Sequence, residues 1–151
     1  MKDFDDRIPS RKAWMGLMAK APEGRVAGLL DACMDRPAFR WLRQPEIGSV
    51  MVRGRAGATG APFNLGEMSV TRCALSLSCG TVGHAYVQGR SRPDAEAAAL
   101  VDALMQTDAA EQVRDAVLTP LETEQAARRA ARAAKAAATK VDFFTMVRGE
   151  D

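Results

Sequence analysis

Aromatic residues make up only 5% of this 151-residue chain, so its core has to be built from Leu, Val, Met and Ala. Cysteine and histidine are scarcer still. Cys33, Cys73 and Cys79 form no CxxC pair, and His84 is the one histidine. That set excludes a classical zinc site within the chain, and no metal is expected. If Cys73 and Cys79 share one strand, six residues of extended chain hold them roughly 20 Å apart, too far for a disulfide. An odd number of thiols in apolar settings suits a reducing compartment. No apolar run approaches membrane-span length, and MKDFDDRIPSRK has no signal-peptide core. The expectation is a soluble cytoplasmic protein. The net charge of +2 is too small to indicate nucleic acid by itself.

What is present is ordinarily globular: 47% hydrophobic and 26% charged residues, enough for one sizeable core. Residues 1–9 read as a loose arm. Residues 10–151 read as a single α+β domain whose last segment, 141–151, is a docking tail. Its fold is expected to be a small antiparallel sheet built around a long hairpin. Short N-terminal helices pack with it, as does a C-terminal set that includes a long Ala-rich helix.

Periodicity supplies the elements. Ser10 can cap a helix with Trp14, Leu17, Met18 and Ala21 at helical spacing, weakened slightly by Gly16. A second helix starts near Pro22 and buries Val26, Leu29, Leu30 and Cys33, with Pro37 ending the run. FRWLR alternates as a strand. After a turn at Pro45, EIGSVMVRGR puts Val50 and Val52 on one face and Met51, Arg53 and Arg55 on the other. EMSVTRCALSLS reads as a long strand whose parity changes between Val70 and Cys73, through a bulge near Arg72 or because both faces are covered. A two-residue turn at Cys79-Gly80 would set Leu77 against Val82, Leu75 against His84 and Cys73 against Tyr86. Ser91 caps a helix with Ala97, Leu100, Val101 and Leu104 inward. Asp108 and Glu111 have capping-box spacing for the next. Thr119-Pro120 opens a last helix of roughly twenty residues, rich in alanine.

The segment from Arg53 to Arg90 holds seven of the twelve glycines and is where chemistry is most to be expected. Its loop, with Gly57, Thr59 and Gly60, could cradle an anion with Arg53, Arg55 and Arg72. It lacks the Lys-Ser/Thr of a Walker loop and the helix behind a dinucleotide fingerprint, so a plain connection between strands is the stronger reading. Glu67 and Arg72 are a weak acid-and-electrophile candidate, better read as an ion pair. His84 is a weak general-base candidate, better read as a packed ring, since nothing in the sequence orients it. Residues 128–140 carry five basic residues and no acidic one. Arg128, Arg132 and Lys135 along one side suggest an alternative, a regulatory or nucleic-acid-binding module. Stacking aromatics are absent there, so a solvated face or a packing surface is preferred. In the tail, Phe143, Phe144, Met146 and Arg148 are candidate anchors, either for this domain or for a partner.

Four collinear blocks, RAGATGAPFNLGEMSVTR, GTVGHAYVQGR, AEAAALVDALMQ and KVDFFTMVRGED, resemble the PhnG family of the phosphonate C–P lyase system. The resemblance runs from about Trp14 to the end. Ala58 stands where a relative can carry a further glycine, and His84 stands at an aromatic-type place. The resemblance implies a subunit of a multi-subunit core complex, chiefly bound to a larger synthase subunit. In that complex a phosphonate displaces adenine from the ribose of ATP, giving a ribose 1-phosphonate 5-triphosphate. It implies no cofactor bound by this chain alone; ATP with Mg is a substrate of the assembled complex. It also implies no autonomous catalytic set. The isolated chain is open to self-association through its tail or its long helix.

Overall fold

A computed structural model describes residues 7–141. The expectations for Phe143, Phe144, Met146 and Arg148 lie outside the described residues. The chain runs α1 (Arg7–Ala19), α2 (Arg25–Cys33), β1 (Phe39–Arg55), a 3-10 turn (Ala56–Ala58), β2 (Pro62–Leu77), β3 (Val82–Gln88) and α3 (Arg92–Leu104). It ends with α4 (Ala110–Val113), a π turn (Arg114–Leu118) and α5 (Thr119–Ala138). The fold is α+β, with one antiparallel sheet of order β1-β2-β3. No helix among the described residues is long and apolar enough to cross a membrane.

The core lies between the sheet and the helices. Helix α3 is its centre: from Ala97 to Leu104 every residue is buried. Its alanines let it sit close to the sheet. At Gly83 of β3, an added Cβ would lie 2.0 Å from the carbonyl oxygen of Ala99. Only a glycine fits there. Leu75 and Leu77 from β2, Leu17 and Met18 from α1, and Val26 and Leu30 from α2 complete the cluster. Burying each Leu or Val side chain contributes roughly 1.5–3 kcal/mol, which is why these short helices hold in place. Phe39 and Trp41 share a face as expected, and meet edge to face at 4.8 Å between ring centroids.

Ser91 caps α3 by accepting the Asp94 N–H at 3.2 Å. Asp94 in turn caps α2, accepting from Gly24 N–H at 2.6 Å and Ala27 N–H at 3.1 Å. An N-terminus needs such acceptors, because its first N–H groups lack helical partners. Helix α2 therefore starts at Arg25 instead of Pro22. Helix α1 starts at Arg7, so Ser10 lies inside it rather than capping it.

Three further expectations are corrected. Pro45 makes no turn: β1 runs unbroken through it, with register shifts between Trp41 and Arg43 and between Arg43 and Glu46. An edge strand tolerates a proline because no neighbour needs its missing N–H. The bulges near Arg72 therefore sit in β1, and the parity change in β2 is that of a strand covered on both faces: Val70 and Cys73 are both buried. Thirdly, the last helices are not separately capped. Thr107 Oγ1, not Asp108, accepts the Ala109 N–H. Residues 110–138 then form one continuous helix through the π turn. The wider turn ends just before Thr119-Pro120. It accommodates a proline that has no N–H to donate and whose ring would crowd the preceding turn of an α-helix.

Candidate functional site

The hairpin register decides where the candidate side chains point. Leu77 N–H donates to Thr81 O at 2.9 Å, and Gly80 N–H donates to Leu77 O at 2.9 Å. Gly80 has φ +86°. The loop is thus three residues, Ser78-Cys79-Gly80, a known alternative to the two-residue turn that ends in a left-handed residue. Leu75 consequently faces Gly83, Ala74 faces His84 and Arg72 faces Tyr86. A one-residue slip turns every β3 side chain over. Gly83, Ala85 and Val87 point inward, while His84 and Tyr86 are exposed. The packed histidine expected from the sequence is instead a surface ring. Its backbone N–H, not its imidazole, is tied down, donating to Asp102 Oδ2 at 2.8 Å.

Arg72 and Glu67 do not pair. Arg72 Nε reaches Glu46 Oε2 at 3.3 Å, and Glu46 also accepts from Arg43 at 3.0 Å. Glu67 instead accepts from Ser49 Oγ at 3.2 Å. Both arrangements follow from the register, which sets Arg72 opposite Glu46 and Glu67 opposite Met51.

The glycine-rich loop lies at the far end of a two-stranded ribbon. β3 ends where Gln88 meets Val70, so beyond that point only β1 and β2 continue. Arg53 and Arg55 are exposed near the tip, where Arg55 pairs with Pro62. Arg72 is ten positions from Pro62 along β2, a distance of about 33 Å. The structure brings Arg53, Arg55, Gly57, Thr59 and Gly60 into one region and leaves Arg72 out.

The loop is held by its own bonds. Gly60 N–H donates to Ala56 O at 3.0 Å, and Arg55 Nη1 approaches Gly60 O at 3.5 Å. Gly57 and Ala58 have φ +57° and +64°, the second unusual for a residue with a Cβ. A Cβ at Gly60 would sit 3.0 Å from Ala56 O, which keeps that position small. Among the described residues, Arg53 makes no ion pair. The ribbon also exposes Met51, Phe63 and Leu65, at 50%, 45% and 66%. Phe63 and Leu65 flank Gly54. Apolar residues beside exposed arginines are the composition of a protein interface. Their alternation is visible in PFNLGE, but sequence pattern does not say that they stay exposed.

A second feature escaped the sequence reading. The Asp102 side chain is fully buried in α3 and accepts from Arg11 Nη2 at 2.6 Å, Arg11 Nε at 3.0 Å and Trp14 Nε1 at 2.9 Å. Its signal was an acid within the apolar run AAALVDALM. Every acceptor position serves the fold, so Asp102 is a joint between α1, α3 and β3, with no capacity left for a substrate. Cys73 is also structural. It donates to Ala95 O, and burial pushes its thiol up to about 12. Among the described residues, no three His, Cys, Asp or Glu side chains come together as a metal site would require.

Residues 9–149 match the family described as phosphonate metabolism protein PhnG. The chain is also 44% identical over 155 residues to the alpha-D-ribose 1-methylphosphonate 5-triphosphate synthase subunit PhnG of Rhizobium meliloti (strain 1021). That similarity covers 99% of this chain and 97% of the relative.

Proposed function

The chain belongs to the PhnG family of phosphonate metabolism proteins, and on that premise we propose that it is a subunit of a ribose 1-methylphosphonate 5-triphosphate synthase. The observation that carries this reading is the 44% identity over essentially the whole of both chains. Its role there is to dock and position rather than to catalyse alone. An autonomous transferase needs a base, an oriented partner for it and a pocket to hold both. Here the one histidine is an exposed ring, and the buried carboxylates Asp94 and Asp102 are committed to backbone and arginine partners.

The partners are the other subunits of the phosphonate C–P lyase core complex, chiefly the larger synthase subunit. ATP with Mg is the substrate of the assembled complex, which works in the cytoplasm. The ribbon tip, with Arg53, Arg55, Gly57, Thr59 and Gly60, lies at a subunit boundary and supplies any anion contact jointly with the partner. Arg72, paired with Glu46, stays outside that contact. The tail, through Phe143, Phe144, Met146 and Arg148, anchors the chain on its partner.

The test is adenine release from ATP plus methylphosphonate, by this chain alone and by the assembled subunits. Release is expected only from the assembly; full release by the purified chain alone would sink the docking role. Truncation before Val141 is expected to abolish co-purification with the synthase subunit while the domain stays folded. Salt-sensitive binding of nucleic acid by the chain alone would favour the regulatory alternative instead.

A further inference from the structure

Residues 110–138 form one helix whose first half is acidic and whose second half is basic. Around the first half lie Asp108, Glu111, Asp115, Glu122 and Glu124, with Arg114 the only base. From Arg128 onward come Arg128, Arg129, Arg132 and Lys135, and no acid. Val113, Val117 and Leu121 mark the side turned to the core. From Ala126 to Ala138 every residue is exposed, so this half of the helix projects about 20 Å beyond the domain.

Glu122, Ala126, Arg129 and Ala133 follow one another at steps of four, three and four, which places them on one face. That face is exposed along its length. Among the described residues, neither Glu122 nor Arg129 has an ion-pair partner. They are also two turns apart on the helix, roughly 10 Å, so they cannot pair with each other. Glu124, by contrast, is already paired with Arg25 at 2.5 Å.

We propose that two copies of this chain pair antiparallel through this face, with the two-fold axis passing beside Ala126. Glu122 lies about one turn before that axis and Arg129 about one turn after it. An antiparallel mate therefore sets Glu122 of each copy against Arg129 of the other. A parallel mate would set like against like, which repels. Ala126 at the crossing and Ala133 beyond it present no bulk, so the two helices can approach closely. A second copy is favoured over nucleic acid because the complementary charge is carried by the same helix, and because the face holds no aromatic ring on which a base could stack. The inference does not rest on the synthase assignment. It concerns what this helix face meets, whichever reaction the assembly supports.

Sedimentation equilibrium of the full chain over a range of concentrations and salt gives the test. The wild type is expected to show a monomer–dimer equilibrium that weakens as salt rises. Glu122→Arg and Arg129→Glu, each alone, place like charges at both contacts and should weaken association about tenfold or more. The double variant E122R/R129E restores complementarity and should recover association to within about threefold of wild type. Both substituted positions, Glu122 and Arg129, are on the surface, so circular dichroism should be unchanged. A wild-type chain that stays monomeric at about 100 μM overturns the proposal. So does a double variant no better than either single, or association that persists unchanged in both singles. Copurification with the other synthase subunits, measured on the same variants, reports on the assignment separately.

Discussion

Arg11 in α1 grips Asp102 in α3 across 91 residues of sequence, through Nη2 at 2.6 Å and Nε at 3.0 Å. The carboxylate is fully buried while the arginine side chain is 33% exposed. The arginine is thus the half of the pair that water can still reach.

This asymmetry predicts unequal costs. Asp102→Ala strands the indole N–H of Trp14 and the backbone N–H of His84 without an acceptor. It should lower stability by about 3 kcal/mol. Arg11→Lys keeps a charge but loses the two-point grip and should cost less, about 1 kcal/mol. Urea unfolding of both variants checks the order; equal midpoints for D102A and wild type would remove Asp102 from its place as a joint.

Glycine position predicts a second contrast. Gly83→Ala pushes a Cβ into Ala99 O and toward the Ala103 Cβ at 2.9 Å. These are backbone and helix atoms that cannot move aside cheaply. A loss of about 3 kcal/mol or more is expected. Gly48→Ala, in the same sheet and with nothing within 4 Å, should change stability by less than about 0.5 kcal/mol. Thermal unfolding of the two variants compares them directly.

The thiols should react in a fixed order. The hydrogen bond between Cys79 and Thr81 holds the exposed Cys79 thiol below its ordinary value, whereas burial holds Cys73 far above it. Alkylation near neutral pH should therefore mark Cys79 well before Cys73, because the thiolate is the nucleophile. Thr81→Val removes the main cause of the lowering and should move the pH profile of Cys79 alkylation upward. Mass spectrometry of a timed labelling series reads both outcomes.

Acid should loosen the contact between α2 and α5. The bond from Arg25 holds the Glu124 carboxyl below its ordinary range, with Arg128 adding to the effect. Asp31 is lowered in the same way by Arg36. A carboxyl lowered in the folded state contributes stability above its unfolded value and loses it as pH falls through the folded one. Unfolding midpoints should drop below about pH 4.5, and Glu124→Gln should flatten part of that drop. A midpoint in E124Q that falls as steeply as in wild type would contradict the assignment.

Much of the fold was legible because local rules and tertiary packing agreed. Ser91 announced α3, the stripe through Ala97, Leu100, Val101 and Leu104 announced its burial, and FRWLR announced a strand. The site was less legible. The turn at Cys79 admits two loop lengths, and the shorter one would turn His84 and Tyr86 inward. Charge spacing placed Arg72 with Arg53 and Arg55 because the length of the ribbon between them was not apparent.

The sequence by itself determined the class of the fold, the helix faces, the glycine-rich ribbon and the family, all of which rest on local pattern or collinear identity. Only the tertiary structure decided the strand register, the bulges of β1 around Pro45, the merging of α4 and α5 through a π turn, and the partners of Asp94 and Asp102. Each of these depends on which distant group fills a space or answers a hydrogen bond. Gly83 illustrates the division: its place in a strand reads from the neighbouring residues, but the need for glycine there comes from Ala99, sixteen residues later, lying against it.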